Sequence, residues 1–306
     1  MTVLADRLAG GGVVLIDSAM GTELQRRGVA MDGVDWCATA LATDADAVRA
    51  IHADYMTAGA EINIANTFAA GRHVLEPAGL GDQAVALNRR AVELVQEARD
   101  QAAMGSVWVA GSISGFIAGN DPANRPSLAT LSASFREQAE TFAEAGADLI
   151  IVEMIRAADT GIAMVEAAVA TGLPVWAGFS FRRDADGAPV MLTKTHVIDP
   201  LDVVPAVMAA GASLAAVMHS DIDDWIWWRA CGTGLWPSIP TAAISLCPSG
   251  SSRTSSTRPA SSPRPRIGLP AASASSTSVL WRTPRQAGHK GRKPWTSASR
   301  HRSRRP

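Results

Sequence analysis

The chain has 306 residues, 47% of them apolar, with 28 Lys+Arg against 29 Asp+Glu and a formal net charge of −1. The balance hides a division: residues 1–224 hold 14 Lys+Arg and all 29 Asp+Glu, while residues 225–306 hold 14 Lys+Arg and no carboxylate. One uniform globular composition is excluded, and so is a membrane span, because no apolar run approaches the roughly 20 residues that a bilayer requires.

Residues 1–224 carry enough apolar side chains for a sizeable core. The N-terminus, Met1 to Gly12, lacks the basic-then-apolar pattern of an export signal, so a cytoplasmic protein is expected. Cys37, Cys231 and Cys247 are too few and too irregularly spaced for a disulfide framework or a C-x-x-C metal knuckle.

In chain order, the first apolar run is Val13-Val14-Leu15-Ile16, ending in Asp17. A helical pattern from about Thr43 to Ala58 leads into Ile62-Asn63-Ile64-Ala65. Helical spacing near 81–104 precedes Val107-Trp108-Val109-Ala110, and spacing near 130–146 precedes Leu149-Ile150-Ile151-Val152. A further helix near 157–171 runs into Pro174-Val175-Trp176-Ala177, and one near 199–211 into Leu214-Ala215-Ala216-Val217-Met218. Ala58-Gly59, Ala145-Gly146 and Ala210-Gly211 close three of these helices, glycine supplying the left-handed stop. Short, almost wholly apolar strands between helices are parallel strands buried on both faces. The fold class is α/β, and a (β/α)₈ barrel and a doubly wound sheet both place ligands beyond strand C-termini. No G-x-G-x-x-G follows the first strand, which disfavours a dinucleotide-binding sheet.

Polar residues stand just past the strand ends: Asp17, Asn66-Thr67, Ser112, Glu153, Ser180 and His219. Asp17-Ser18-Ala19-Met20-Gly21-Thr22-Glu23-Leu24 reads either as a loop whose glycine turns and whose Thr22 caps a helix, or as a carboxylate presented to a ligand beside backbone N–H groups. Glu153 ends a buried strand and needs either a structural arginine or the cationic end of a ligand. His219, with Ser220, Asp221, Asp223 and Asp224 beyond it, reads as a metal donor or as the start of a solvated acidic loop.

Together these segments resemble the homocysteine S-methyltransferase family. The resemblance is carried by Ile16 to Leu24, by His52 to Ala60 running into Asn66-Thr67-Phe68, by Ala86-Leu87-Asn88-Arg89-Arg90-Ala91-Val92, by Val109 to Ile113, and by Ala145-Gly146-Ala147-Asp148-Leu149 through Glu153. It covers nearly all of residues 12–224 and implies a (β/α)₈ TIM barrel that moves a methyl group from a small-molecule donor onto homocysteine, giving methionine. It also implies zinc held by three cysteines, one after strand six and an adjacent pair after strand eight. The metal converts a thiol of pKa about 8.5 into a thiolate at neutral pH. By the same resemblance Asp17, Thr67 and Glu153 hold the amino acid part of homocysteine. The sequence departs from the pattern at Met218-His219, where the family usually has Asn-Cys, and in lacking Cys-Cys-Gly. His219 is thus the candidate zinc ligand in place of the first cysteine. S-Adenosylmethionine, S-methylmethionine and betaine are all compatible donors.

The pattern stops after Asp224. Residues 225–306 hold 16 Ser, 10 Pro and six Trp with no strand-helix alternation, a composition that reads as disordered. A reading-frame slip accounts for it. Taking the third base of each codon as the new first base, Gly232, Gly234, Leu235 and Trp236 permit Trp, Gly, Pro and Leu. Ser238, Ile239 and Pro240 permit Val-Tyr-Pro, Thr241, Ala242 and Ala243 permit His-Ser-Gly or Asn-Ser-Gly, and Ser245, Cys247, Pro248, Ser249 and Gly250 permit Phe, Met, Pro, Glu and Trp. That string resembles the family's seventh-strand region. Val279-Leu280-Trp281 encodes Cys-Cys-Gly only in the other shifted frame, so a second slip is needed. The domain expectation is an incomplete barrel over 1–224, lacking strands seven and eight, and a basic tail over 225–306 translated out of frame. Such a chain is expected to bind zinc poorly and be inactive, its open barrel exposing strand edges. Two other readings remain: a non-zinc barrel enzyme using Asp17, Glu153 and His219, and nucleic-acid binding through the basic tail, which no RNA-binding motif accompanies.

Overall fold

The computed structural model describes residues 2–10, 12–102, 107–184, 189–192, 197–220 and 241–243. Its helices and strands alternate as α1 (Thr2–Ala9), α2 (Met20–Arg26), α3 (Ala40–Thr43), α4 (Ala45–Thr57), β1 (Ile62–Ile64), α5 (Arg72–Leu75), α6 (Ala84–Gln101), β2 (Trp108–Ser114), α7 (Leu128–Glu144) and β3 (Leu149–Ile155). They continue as α8 (Ala158–Val169), β4 (Val175–Phe179), β5 (Arg182–Arg183), β6 (Pro189–Leu192), β7 (Val197–Ile198), α9 (Pro200–Ala209), β8 (Leu214–Val217) and β9 (Thr241–Ala243).

The main sheet has the order β1-β2-β3-β4-β8-β9, with each neighbouring pair parallel. Strands laid down in consecutive order by right-handed crossovers put every connecting helix on one face. That face packs Val109, Ile113, Ile150, Val152, Val175, Ala177, Ala215 and Val217 against the helices. The alternate residues point the other way, and Ile16, Ile62, Ile64, Ala110, Leu149, Ile151, Trp176, Leu214, Ala216 and Met218 pack together there. Val14 and, from α1, Leu4 and Leu8 pack into the same cluster, so the first helix covers part of that face. Among the described residues no pairing joins β9 to the first apolar run.

The sequence expectations hold for five of the six strands, with β2 and β3 running further than their apolar cores. Val13–Ile16 enters only as a bridge, Ile16 to Ile62. The Leu15 carbonyl accepts from both Glu61 N (2.8 Å) and Ile62 N (3.1 Å), so the ladder starts split. Gly59, Gly146 and Gly211 take φ of 103°, 83° and 112°, the left-handed stops expected of them. Thr22 does not cap α2: Ala19 is the N-cap and makes no side-chain bond. Gly21 is required for a different reason, since a Cβ there would lie 2.2 Å from Trp36 Nε1.

Two features were not legible beforehand. Strands β5, β6 and β7 form a separate antiparallel sheet, each too short to carry a period. Thr241–Ala243, inside the tail read as lacking strands, pairs with β8 through Ala215↔Thr241 and Val217↔Ala243. β8 would otherwise present an unpaired edge, and these three residues are the ones for which the shifted frame permits His-Ser-Gly.

Gly111 sits on β2 under α7, where an added Cβ would lie 2.2 Å from the Phe142 ring. Gly111→Ala is expected to cost about 1–3 kcal/mol through overpacking. A urea midpoint indistinguishable from the parent chain would contradict this packing.

Candidate functional site

The C-terminal ends of the parallel strands bring Asp17, Thr67, Ser112, Glu153 and His219 into one neighbourhood. Glu153 lies near the end of β3, 4% exposed. Ser112 of β2 donates its hydroxyl to Glu153 Oε1 at 2.6 Å, and His219 Nε2 stands 3.4 Å from Oε2. The next residue, Met154, and His219 both have positive φ, 57° and 49°. The β3–β4 register slips between Val152 and Ile155. Left-handed conformations at non-glycine residues store strain and concentrate at functional sites. Here they flank the buried carboxylate.

Asp17 follows the first bridge and is 3% exposed. Its Oδ2 accepts from Ile64 N at 2.9 Å and lies 3.8 Å from Nδ1 of His52 on α4. Burial pushes the Asp17 carboxyl well above the usual range; the Ile64 N–H opposes the rise and the Glu153 charge adds to it. Burial also pushes His52 down, to about 3. The separation would suit an ion pair, but desolvation acts against both charges, raising the carboxyl and lowering the imidazole.

Thr67 is fully buried. Its hydroxyl donates to Ser112 O and accepts from Ser112 N, both at 2.9 Å, clamping the loop after β1 to β2. Ser112, so held from its backbone, aims its own hydroxyl at Glu153. His219 packs its ring 5.9 Å from that of Phe68. Its turn is fixed by Ser220, whose hydroxyl donates to Met218 O and accepts from Phe181 N, both at 2.8 Å.

Zinc does not fit the described residues. No group of three His, Cys, Asp or Glu among them could hold a metal, and His219 with Glu153 supplies two donors. Cys37 is buried, its thiol bonded to Asn66 Oδ1 at 3.0 Å and pushed by burial to about 12, which makes it a structural thiol. Cys231, Cys247, Asp221, Asp223 and Asp224 lie outside the described residues.

Sequence reasoning named Asp17, Thr67, Glu153 and His219 but missed His52 as a neighbour of Asp17. The signal available was its place in α4, where Val48, Ile51, His52 and Met56 share the buried face. It also missed Trp36, 44% exposed beside the start of α2.

A consecutively wound parallel sheet with buried acidic groups at its C-terminal edge is consistent with a TIM-barrel-like enzyme. The family pattern described as homocysteine S-methyltransferase matches residues 14–223, and the chain belongs to that family. It is therefore a methyltransferase by family. It is 29% identical over 226 residues to the homocysteine S-methyltransferase of Escherichia coli (strain K12), covering 68% of this chain and 71% of that protein. It is 27% identical to betaine–homocysteine S-methyltransferase 1 of Mus musculus, covering 70% of this chain but 50% of that one. Among solved structures, the metallated form of the homocysteine methyltransferase MmuM from Escherichia coli superposes with a TM-score of 0.64 at 25% identity, over 79% of this chain and 85% of that one.

Proposed function

We propose that residues 12–224 form the amino-acid-recognising part of a (β/α)₈ homocysteine S-methyltransferase barrel, and that the 306-residue chain binds homocysteine without forming methionine. The observation that supports recognition is Glu153: it is buried, and no Lys or Arg among the described residues pairs with it. A buried carboxylate in that position suits the ammonium of an amino acid. Asp17 gives the ammonium a second carboxylate, and the ammonium's charge would oppose the burial that raises the Asp17 carboxyl. Thr67 acts by fixing the strand ends on which Ser112 and Glu153 stand.

The family chemistry, methyl transfer to a zinc-held thiolate, is where this chain falls short. Zinc would supply the thiolate at neutral pH, and the described residues do not present its ligand set. What the chain's own groups do is orient the amino acid and exclude water from its charged end. No described helix is long and apolar enough to cross a membrane. No observation among the described residues favours non-zinc chemistry or nucleic-acid binding.

Calorimetric titration of the full chain with L-homocysteine tests recognition. Glu153→Gln is expected to weaken binding by about tenfold or more, the loss of a charge-assisted hydrogen bond of about 1.5–3 kcal/mol. Equal affinity in the two proteins would remove Glu153 from the site. One zinc per chain, together with methionine formation, would overturn the reading of the chain as inactive.

A further inference from the structure

Three arginines stand on successive strand-helix connections at the same edge of the sheet. Arg125 lies between β2 and α7, Arg156 directly follows β3, and Arg182 lies just beyond β4 in β5. The connections are joined physically. Ile155 pairs with Phe179, Ser180 N donates to Ile155 O at 3.1 Å, and Arg125 Nη2 donates to Thr160 Oγ1 on the first turn of α8 at 2.6 Å. Arg156 is half-buried, and the charges of Arg182 and Arg125 both reach it.

Like charges so placed repel, and a folded chain normally answers each with a carboxylate. These three have none among the described residues. Asp159, three residues past Arg156, accepts from Thr160 N at 2.7 Å and from its hydroxyl, so it is turned onto its own helix. Glu153 is engaged by Ser112 and His219. Several other arginines do find partners: Arg72 with Glu137, Arg89 with Glu144, Arg90 with Glu97. Burial and the charges of Arg182 and Arg125 push the Arg156 guanidinium down from its ordinary range, as expected of a cation lacking a counter-charge.

We propose that Arg125, Arg156 and Arg182 form an oxyanion site at the barrel mouth, which takes the carboxylate or phosphate of a small-molecule ligand. Guanidinium groups match both anions with paired N–H donors. Arg156 lies three residues past Glu153, beyond the left-handed Met154 and the register slip of β3, so the anion site adjoins the acidic pocket on its outer side. This site does not depend on the homocysteine reading, since the arginines and not Glu153 define it.

The test is calorimetric titration of the full chain with inorganic phosphate and, separately, with citrate, each against sodium chloride at matched ionic strength. Saturable binding of at least one oxyanion is expected, and the tighter of the two identifies the class of the natural group. Arg156→Gln should weaken that binding at least tenfold, Arg156→Lys less, and Arg136→Gln, on the exposed face of α7, not at all. Without anion, Arg156→Gln should melt no lower than the parent, because it removes a repulsion, which separates loss of the site from loss of the fold. Absence of saturable binding by both anions, or undiminished binding by Arg156→Gln, would overturn the proposal.

Discussion

A gene corrected in frame after codon 224, and again before codon 279, is expected to yield a protein with one bound zinc and methionine-forming activity, where the 306-residue chain has neither. The donor arithmetic explains the size of the effect. His219 would supply one ligand, and with a restored Cys-Cys pair the chain would supply three, the number of protein ligands a catalytic zinc site uses. A thiol of pKa about 8.5 is only a few per cent thiolate at neutral pH, so metal binding raises the reactive fraction about thirtyfold, and fixed orientation multiplies it further. The combined gain is on the order of a thousandfold or more. Atomic absorption and a methionine assay on both proteins give the answer. Replacing His219 by Ala in the corrected protein should then lower its zinc content, and an unchanged content would assign the third ligand elsewhere. Residues 241–243 pair with β8 in parallel, the position a seventh strand would take in the corrected protein.

Acidification from pH 7 to 4 is expected to destabilise the fold by several kcal/mol, with His52 and His73 as the main cause. His52 is fully buried, its two ring nitrogens have no hydrogen-bond partner, and its folded pKa falls from 6.5 to about 3. His73 donates from Nε2 to Phe116 O and accepts at Nδ1 from Ser134 Oγ, both at 2.8 Å. Burial holds its pKa at about 4 despite the Phe116 carbonyl, which favours the protonated ring. Both are neutral in the folded chain and protonated in the unfolded chain between their folded values and 6.5. Their contribution is complete above pH 6.5 and is lost as pH falls toward 4, at about 1.4 kcal/mol per pH unit for each group. Asp17 works in the opposite direction, since its raised carboxyl takes up a proton in the folded state first and favours folding as the pH drops. Urea midpoints across the range measure the sum, and His52→Leu isolates one contributor: it removes an unpartnered imidazole at similar volume, so its stability should fall less steeply with acid. A slope identical to that of the parent would place the acid sensitivity on other groups.

The sequence by itself determined the α/β alternation, five of the six strands, the glycine helix stops and the family. Each of these rests on local signals: unbroken apolar runs mark strands buried on both faces, and Ala-Gly pairs mark the helix ends. It also determined the charge division at residue 224 and the missing cysteines, which are matters of composition and need no coordinates. The placement of Asp17 and Glu153 at strand ends was legible because a carboxylate directly after four apolar residues has one place to go.

Only the tertiary structure decided how those ends relate. The resemblance makes Thr67 a residue that holds the amino acid part of homocysteine, and only the fold shows its hydroxyl bonded across 45 residues to the backbone of Ser112. His52 becomes the neighbour of Asp17 from 35 positions away, and Arg125, Arg156 and Arg182 become one rim only when β2, β3 and β4 lie side by side. Periodicity is a property of neighbours along the chain. The charge on a side chain, its desolvation and its partner are set by neighbours in space, and parallel strands joined by long crossovers bring together residues between which no local pattern runs.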